Sequence, residues 1–67
     1  MTVFVNDEPK KTDFGLSLNS FLLQIDMVDL SGWAIALNDV VVPEGEIGGK
    51  SLSDGDRLIL IQATQGG

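Results

Sequence analysis

Apolar residues recur at a helical spacing in one segment of the chain and alternate or cluster in short segments elsewhere. The helical segment has apolar residues at i, i+3, i+4 and i+7, namely Leu18, Phe21, Leu22 and Ile25. Ser17 stands at the N-cap position, and Ser31-Gly32 is expected to close the segment. Asp26 and Asp29 would then lie near the C-terminal end, where the helix dipole disfavours them, so we expect packing to hold this helix.

β-branched and alternating segments on both sides of the helix predict five strands, over residues 2–6, 10–14, 33–37, 40–42 and 57–62. The first two form a hairpin around turn residues 6–9, and Asn38-Asp39 is a tight turn between the next two. Residues 44–53 contain three Gly and two Ser and are expected to form an irregular loop. Asp54-Gly55 then turns the chain into the last strand.

One helix can cover one face of a small mixed sheet, so the sequence predicts a single α+β domain over residues 1–67. Its globular body is expected to be 1–62 and a flexible, exposed tail 63–67. Alternation in the last strand places Leu58 and Leu60 under the helix, and Ile59 and Ile61 on the opposite, uncovered face. Phe4 joins that face if the first and last strands are neighbours. We interpret Phe4, Ile59 and Ile61 as a docking surface.

The composition excludes several kinds of chemistry. The chain has no Cys and no His, so it offers no thiol nucleophile, disulfide or imidazole base, and we predict no catalytic residue and no metal site. A formal net charge of −6 argues against nucleic acid and anionic membranes as partners. It suits a basic protein partner, or serves solubility alone. With no apolar run long enough for a membrane span and no leader, a cytoplasmic protein is expected.

The segment Gly45–Ser51 invites comparison with a phosphate-binding loop because it ends in Gly-Lys-Ser. The comparison fails on spacing, since Glu44 occupies the place of the first glycine of that motif. A turn also follows, where the motif requires a helix. We interpret the segment as a surface loop, the nearby carboxylates as a solvated rim, and Trp33 as a partly buried packing residue.

The two C-terminal residues, Gly66 and Gly67, carry the strongest functional signal. A Gly-Gly end presents an unhindered carboxyl on a tether that can enter a narrow channel of another protein. A free carboxylate is a poor electrophile, so chemistry at this end requires activation by a partner, for example as an acyl adenylate.

The order and spacing of these segments resemble the ThiS family, the sulfur carriers of thiamin biosynthesis. The resemblance covers essentially the whole chain and rests on Val3–Asp7, Ala34–Asn38, Val41–Pro43, Asp54–Arg57 and Gln62–Gly67. It implies a ubiquitin-like β-grasp fold. The chain departs from the family after Pro43, where Glu44 and a Gly-rich loop replace the usual basic and aromatic residues, which puts partner contacts of residues 44–51 in doubt.

The resemblance also implies a function. An adenylyltransferase uses ATP and Mg²⁺ to adenylate Gly67, a persulfide sulfur supplied by a donor such as a cysteine desulfurase displaces AMP, and the resulting thiocarboxylate delivers sulfur to thiazole synthase. In this scheme Gly67 carries the sulfur, Gly66 and Gln65 thread the partners' active sites, and the Phe4, Ile59 and Ile61 surface docks. The carrier is a co-substrate that binds no cofactor, so it is not itself an enzyme.

Two alternatives remain open at this point. A related carrier for molybdopterin or cysteine synthesis would use the same Gly-Gly chemistry in another pathway. A β-grasp interaction module would bind partners through its surface without activation of its carboxyl end.

Overall fold

The computed structural model describes residues 1–62 of the chain. Its elements are β1 (Thr2–Val5), β2 (Glu8–Lys11), α1 (Leu18–Gln24), β3 (Trp33–Leu37), β4 (Val40–Val41), a 3₁₀ segment (Glu44–Gly49) and β5 (Arg57–Gln62). The strands form one sheet in the order β2-β1-β5-β3-β4. The β1–β5 pair is parallel, and the other three pairs are antiparallel. The sheet is therefore mixed, as expected, and β5 is its central strand.

The N-terminal hairpin is tighter than the sequence indicates. Asn6 and Asp7 both have positive φ, 49° and 70°, so they alone form the turn and β2 begins at Glu8. The expected second strand over 10–14 is therefore wrong by two to three residues at each end. Pro9 fits within β2 because its partner Phe4 directs its N–H away from β2, towards the carbonyl of Asp56 just before β5, at 2.9 Å.

The core lies between α1 and one face of the sheet. Three side chains of α1, Leu18, Phe21 and Leu22, are almost completely buried there. They meet buried residues of the strands and of the segment after β4, which are Val3, Ile35, Val42, Ile47, Leu52, Leu58 and Leu60. The helical periodicity and the inward positions of Leu58 and Leu60 are confirmed. Ser17 is the N-cap, with its hydroxyl accepting the Ser20 N–H at 3.1 Å.

The C-terminal end of α1 comes earlier than expected and is closed by hydrogen bonds of the Schellman type. The Met27 N–H donates to the Leu22 carbonyl at 2.8 Å, and the Asp26 N–H donates to the Leu23 carbonyl at 3.1 Å. Asp26 adopts φ 65° at the position that usually holds glycine. Asp26 lies next to the C-terminal end of the helix, as expected, whereas Asp29 lies further along the chain, four residues beyond the C-cap Ile25.

The link from α1 to β3 is a turn stabilised by side chain–backbone bonding. Asp29 accepts a hydrogen bond from the Ser31 N–H at 3.0 Å, and this bond, with one from the Ser31 side chain, lowers the pKa of Asp29 below its ordinary value of 3.8. Gly32 adopts φ 79°, and the Trp33 N–H then donates to the Leu30 carbonyl at 3.0 Å. Ser31-Gly32 therefore belongs to the turn before β3 and does not end α1, contrary to expectation.

Residues 44–49 form a 3₁₀ helix, and the expectation of an irregular loop is wrong for this segment. The physical reason is one side chain, Ile47, which is only 5% exposed and packs into the core beside α1. Leu52 is buried as well, and its N–H donates to the Leu16 carbonyl at 3.0 Å. Because the segment is rich in Gly, its composition alone does not indicate that Ile47 and Leu52 are buried.

Replacement of Asp26 by Gly is expected to increase the free energy of unfolding by about 0.5–1 kcal/mol. The left-handed conformation costs an L-residue about 1–2 kcal/mol, and glycine avoids this cost. Glycine also has more conformational freedom in the unfolded chain, and this offsets part of the gain in stability. Chemical denaturation of the wild type and Asp26→Gly measures the difference. Asp26→Asn is the matched control, because it removes only the charge at the helix end and should gain a few tenths of a kcal/mol. An Asp26→Gly protein less stable than wild type would contradict this account of the cap.

Candidate docking surface

The sheet has one face covered by α1 and one face that no other described element covers. Side chains alternate along each strand and directly paired residues share a face, so the register identifies the members of the uncovered face. We call it the open face. Its strand residues are Thr2, Phe4, Pro9, Lys11, Ala34, Ala36, Val41, Arg57, Ile59 and Ile61.

The three residues expected to dock all lie on the open face, but they are spread along it. Phe4 and Ile59 are half-buried, whereas Ile61 is 59% exposed. Phe4 on β1 pairs directly with Arg57 on β5. Ile59, two residues after Arg57 on the same face, is therefore a diagonal neighbour of Phe4, and Ile61 lies two residues further towards the C-terminal end of β5. Phe4 and Ile61 therefore mark different parts of the surface.

The open face extends beyond those three residues, across β3 and β4. Ala34 pairs with Ile61 and Ala36 pairs with Ile59, so both alanines lie on this face. Val41 pairs with Ala36 and is 67% exposed, which adds a large apolar side chain at the edge of the sheet. The sequence contains the signal for Val41, since a two-residue turn at Asn38-Asp39 fixes the register of β4 on β3.

Two asparagine side chains hold β5 at opposite ends. Asn6 follows β1 and bonds the Leu60 backbone twice, accepting its N–H at 2.9 Å and donating Nδ2 to its carbonyl at 3.3 Å. Asn38 follows β3, accepts the Arg57 N–H and donates Nδ2 to Asp56, each at 3.0 Å. Each side chain thus continues the hydrogen bonding of the sheet past the point where its strand has turned away. Sequence reasoning identified both residues as turn formers and missed this second role.

The residues after β4 form two shallow grooves on either side of Pro43. Their volumes are about 240 and 320 Å³, and both are lined by Val41, Val42 and Pro43. Glu44 borders the first groove, while Glu46 and Lys50 border the second. Neither groove contains a nucleophile paired with a base, so neither resembles a catalytic site.

The described part of the chain offers little acid–base or metal chemistry. Within residues 1–62, no three acidic side chains come close enough to hold a metal ion. In the same range, the ion pairs are Lys10–Glu8 at 3.2 Å and Arg57–Asp7 at 3.3 Å, both exposed. No helix among these residues is long and apolar enough to cross a membrane.

Gln65, Gly66 and Gly67 lie outside the described residues, so their expected roles stay predictions. What the structure does describe is the point from which they start. β5 ends at Gln62, next to Ile61 on the open face and opposite Trp33 of β3. Trp33 is half-buried and packs against the core, as expected.

Comparison with solved structures shows the same fold in a thiamine biosynthesis protein (ThiS) from Geobacter metallireducens. Its crystal structure superposes with a TM-score of 0.86 at 22% sequence identity, over 100% of both chains. An NMR structure of a thiamine biosynthesis protein from the same organism gives a TM-score of 0.77 at 22% identity, over 100% of this chain and 88% of the other. The expected ubiquitin-like β-grasp fold is thereby confirmed.

Sequence comparison decides the family. The model of the ThiS family matches residues 3–67 of this chain. The chain belongs to the ThiS family. It is also 30% identical to the sulfur carrier protein ThiS of Escherichia coli (strain K12), over 100% of both chains. The ThiS match extends through Gly66 and Gly67, so the Gly-Gly end falls within the family alignment.

Asn6 gives a direct test of how β5 is held. Asn6→Ala removes two hydrogen bonds to Leu60 and leaves at φ 49° a residue that tolerates the left-handed conformation less well than Asn, so we expect a loss of about 2–3 kcal/mol in the free energy of unfolding. Chemical denaturation measures the loss, and faster hydrogen exchange of the Leu60 amide localises it.

Asn6→Gly is the matched control, because glycine accepts the positive φ and loses only the hydrogen bonds. It should cost less than Asn6→Ala while exposing the same Leu60 amide to exchange. If the Leu60 amide kept wild-type protection in both variants, the Asn6 side chain would not be what holds β5.

Proposed function

We propose that this ThiS-family protein is a sulfur carrier of thiamin biosynthesis, in which the carboxyl of Gly67 is converted to a thiocarboxylate. The observation that carries the proposal is the ThiS family match through Gly67, together with the name of the Escherichia coli relative, sulfur carrier protein ThiS. The absence of Cys and His from the chain supports the same assignment, because sulfur bound to the C-terminal acyl group needs neither residue.

In the proposed function, the reactions at the carboxyl of Gly67 take place in the active sites of the partner enzymes. The Gly67 carboxylate attacks the α-phosphate of ATP, with Mg²⁺ bound by the activating adenylyltransferase, and pyrophosphate leaves. A persulfide sulfur, supplied by a donor such as a cysteine desulfurase, then attacks the acyl carbon, and AMP leaves. Cleavage of the remaining S–S bond by a thiol releases the thiocarboxylate, which gives its sulfur to thiazole synthase. The carrier is a co-substrate in each step and not a catalyst.

The length of the tail constrains where a partner binds. Five residues separate Gln62 from the end of Gly67 and span at most about 17 Å when extended. A partner that receives Gly67 in a buried site must therefore contact the body close to the end of β5. The open face adjoins this point through Ile61 and continues through Ile59 to Phe4, which supports a docking role for these three residues.

Incubation with an adenylyltransferase of the family, ATP, Mg²⁺ and a sulfur donor is expected to place sulfur on Gly67. Alkylation with a thiol-selective reagent followed by fragmentation in the mass spectrometer locates the group, which separates it from oxidation of Met1 or Met27. A variant with one alanine added after Gly67 is the control and should remain unmodified. An unmodified wild type, with an enzyme shown to activate another carrier, would contradict the proposal and favour a β-grasp interaction module.

Ile61→Ser is expected to weaken activation about tenfold, because Ile61 would lose its burial against the partner. The measurement is the rate of Gly67 adenylation at limiting carrier concentration. Leu23→Ser is the matched control, since Leu23 is 50% exposed on α1, on the other side of the sheet. Equal rates for the two variants would show that docking does not use the open face.

A further inference from the structure

The two edges of the sheet differ in their protection against pairing with a further strand. Among the described residues the edge strands are β2 and β4. Pro9 of β2 stands at a position that faces away from β1, because its partner Phe4 bonds towards β5, so one outward N–H is missing from this edge. Lys10 and Lys11 add charge to it, and both features discourage strand addition. Neither residue of β4 is proline or charged.

The edge strand β4 presents outward-facing backbone groups at Val41. The Val42 N–H donates to the Ile35 carbonyl at 2.8 Å, so Val42 faces β3. Backbone groups alternate in direction along an antiparallel strand, and Val41, paired with Ala36, therefore directs its N–H and C=O away from β3. No other described strand lies beyond β4, so these two groups are open to an added strand.

The side chains at this edge are apolar and accessible. Val40 and Val41 are each 67% exposed. Val40 pairs with Leu37 and so lies on the helix side of the sheet together with Val42, and both line the groove of about 320 Å³. In an antiparallel strand added with its central residue opposite Val41, the two flanking residues lie opposite Val40 and Val42. Their side chains would therefore point to this groove.

Carboxylates outnumber cations around the β4 edge. The exposed charged residues that precede the strand, follow it or line its groove are Asp39, Glu44, Glu46 and Lys50. The adjoining start of β5 does not reverse this balance, because Arg57 follows Asp56 and forms its ion pair with Asp7 at 3.3 Å. A strand that adds to β4 is therefore favoured by positive charge at its ends.

We propose that the β4 edge binds an extended, basic segment of another protein by strand addition. The segment bonds the backbone of Val41, directs two aliphatic side chains to the groove, and places Lys or Arg near Asp39 and Glu44. Because β4 has two residues, the backbone contributes few hydrogen bonds, and the groove and the charges supply the rest of the binding. The negative charge of the chain thereby acquires a specific place of action on the surface.

This site is separate from the point where the C-terminal residues begin. Val41 pairs with Ala36, whereas Gln62 pairs with Trp33, three residues away along β3, which corresponds to about 10 Å. The strands β4 and β5 lie on opposite sides of β3, about another 10 Å apart across the sheet. A short segment bound at β4 leaves Gln62 uncovered. The inference therefore goes beyond the proposed function and does not depend on the chemistry of Gly67.

Titration of the isotope-labelled protein with the peptide acetyl-Lys-Val-Thr-Val-Lys-amide, followed by NMR, tests the proposal. The amide signals of Val40, Val41 and Val42 are expected to shift saturably, with half-saturation at roughly 1 mM, while that of Lys11 at the other edge stays in place. The same peptide with an N-methyl group on its threonine cannot donate to the Val41 carbonyl and should bind about tenfold more weakly. Replacement of both peptide lysines by glutamate should weaken binding about tenfold as well.

Two pairs of protein variants examine the same contacts from the other side. Val41→Pro removes the outward N–H and no bond to β3, and should abolish the saturable shifts, whereas Val41→Ala keeps that N–H and should bind within about threefold of the wild type. Glu44→Lys should weaken binding about three- to fivefold. Glu8→Lys changes the net charge equally at the other edge and should leave binding within about twofold. Thermal unfolding confirms that each variant is folded, and the N-methylated peptide tests the hydrogen bonding in the unaltered protein.

Several results would overturn the proposal. One is the absence of a saturable shift at β4 up to about 10 mM peptide. Equal binding of the N-methylated peptide would show that the backbone is not used, and equal binding of the glutamate peptide would show that the charges do not contribute. Shifts of the Val41 amide that depend on protein concentration, without peptide, would assign the edge to a second copy of this chain. None of these results bears on the activation of Gly67, so the two proposals fail separately.

Discussion

A single helix covering a five-stranded sheet is the constraint on which the rest of this structure depends. Seven helical residues can bury only one face of the sheet, so the central strand must be apolar on one side for stability and remains accessible on the other. Leu58 and Leu60 form the apolar side that packs under the helix, and Ile59 and Ile61 lie on the accessible side. The open face is therefore a consequence of the small size of the domain.

The central strand, β5, is also the last element before the C-terminal residues. β5 pairs along one edge with β1 and along the other with β3, and Asn6 and Asn38 bond its backbone beyond the ends of those strands. A strand held on both edges gives the tail a fixed origin at Gln62. Five residues separate this origin from the end of Gly67, whose carboxyl is the reacting group in the proposed function.

The charge pattern shows why a property of the whole chain does not transfer to one of its surfaces. Acidic residues dominate the composition, yet several of them are in turns, where Asp54 and Asp56 accept backbone N–H groups and so have structural roles. Asp26 likewise follows the helix cap, and Asp29 lies in the turn that leads into β3. The cations Lys11 and Arg57 stand on strands whose register brings them to the same face.

The sequence by itself determined the elements whose signals are local. The spacing of Leu18, Phe21 and Leu22 fixes the helix, the Asn38-Asp39 pair fixes a turn, and alternation separates Leu58 from Ile59, because each signal depends only on near neighbours along the chain. The resemblance to the ThiS family was also evident from the sequence, because it rests on the order of short segments along the chain and on Gly66-Gly67. Tertiary structure decided what depends on distant residues. The burial of Ile47 against the core turns a Gly-rich segment into a 3₁₀ helix. The pairing of β1 with β5 places Arg57 opposite Phe4, and no local pattern contains that contact between residues more than fifty positions apart.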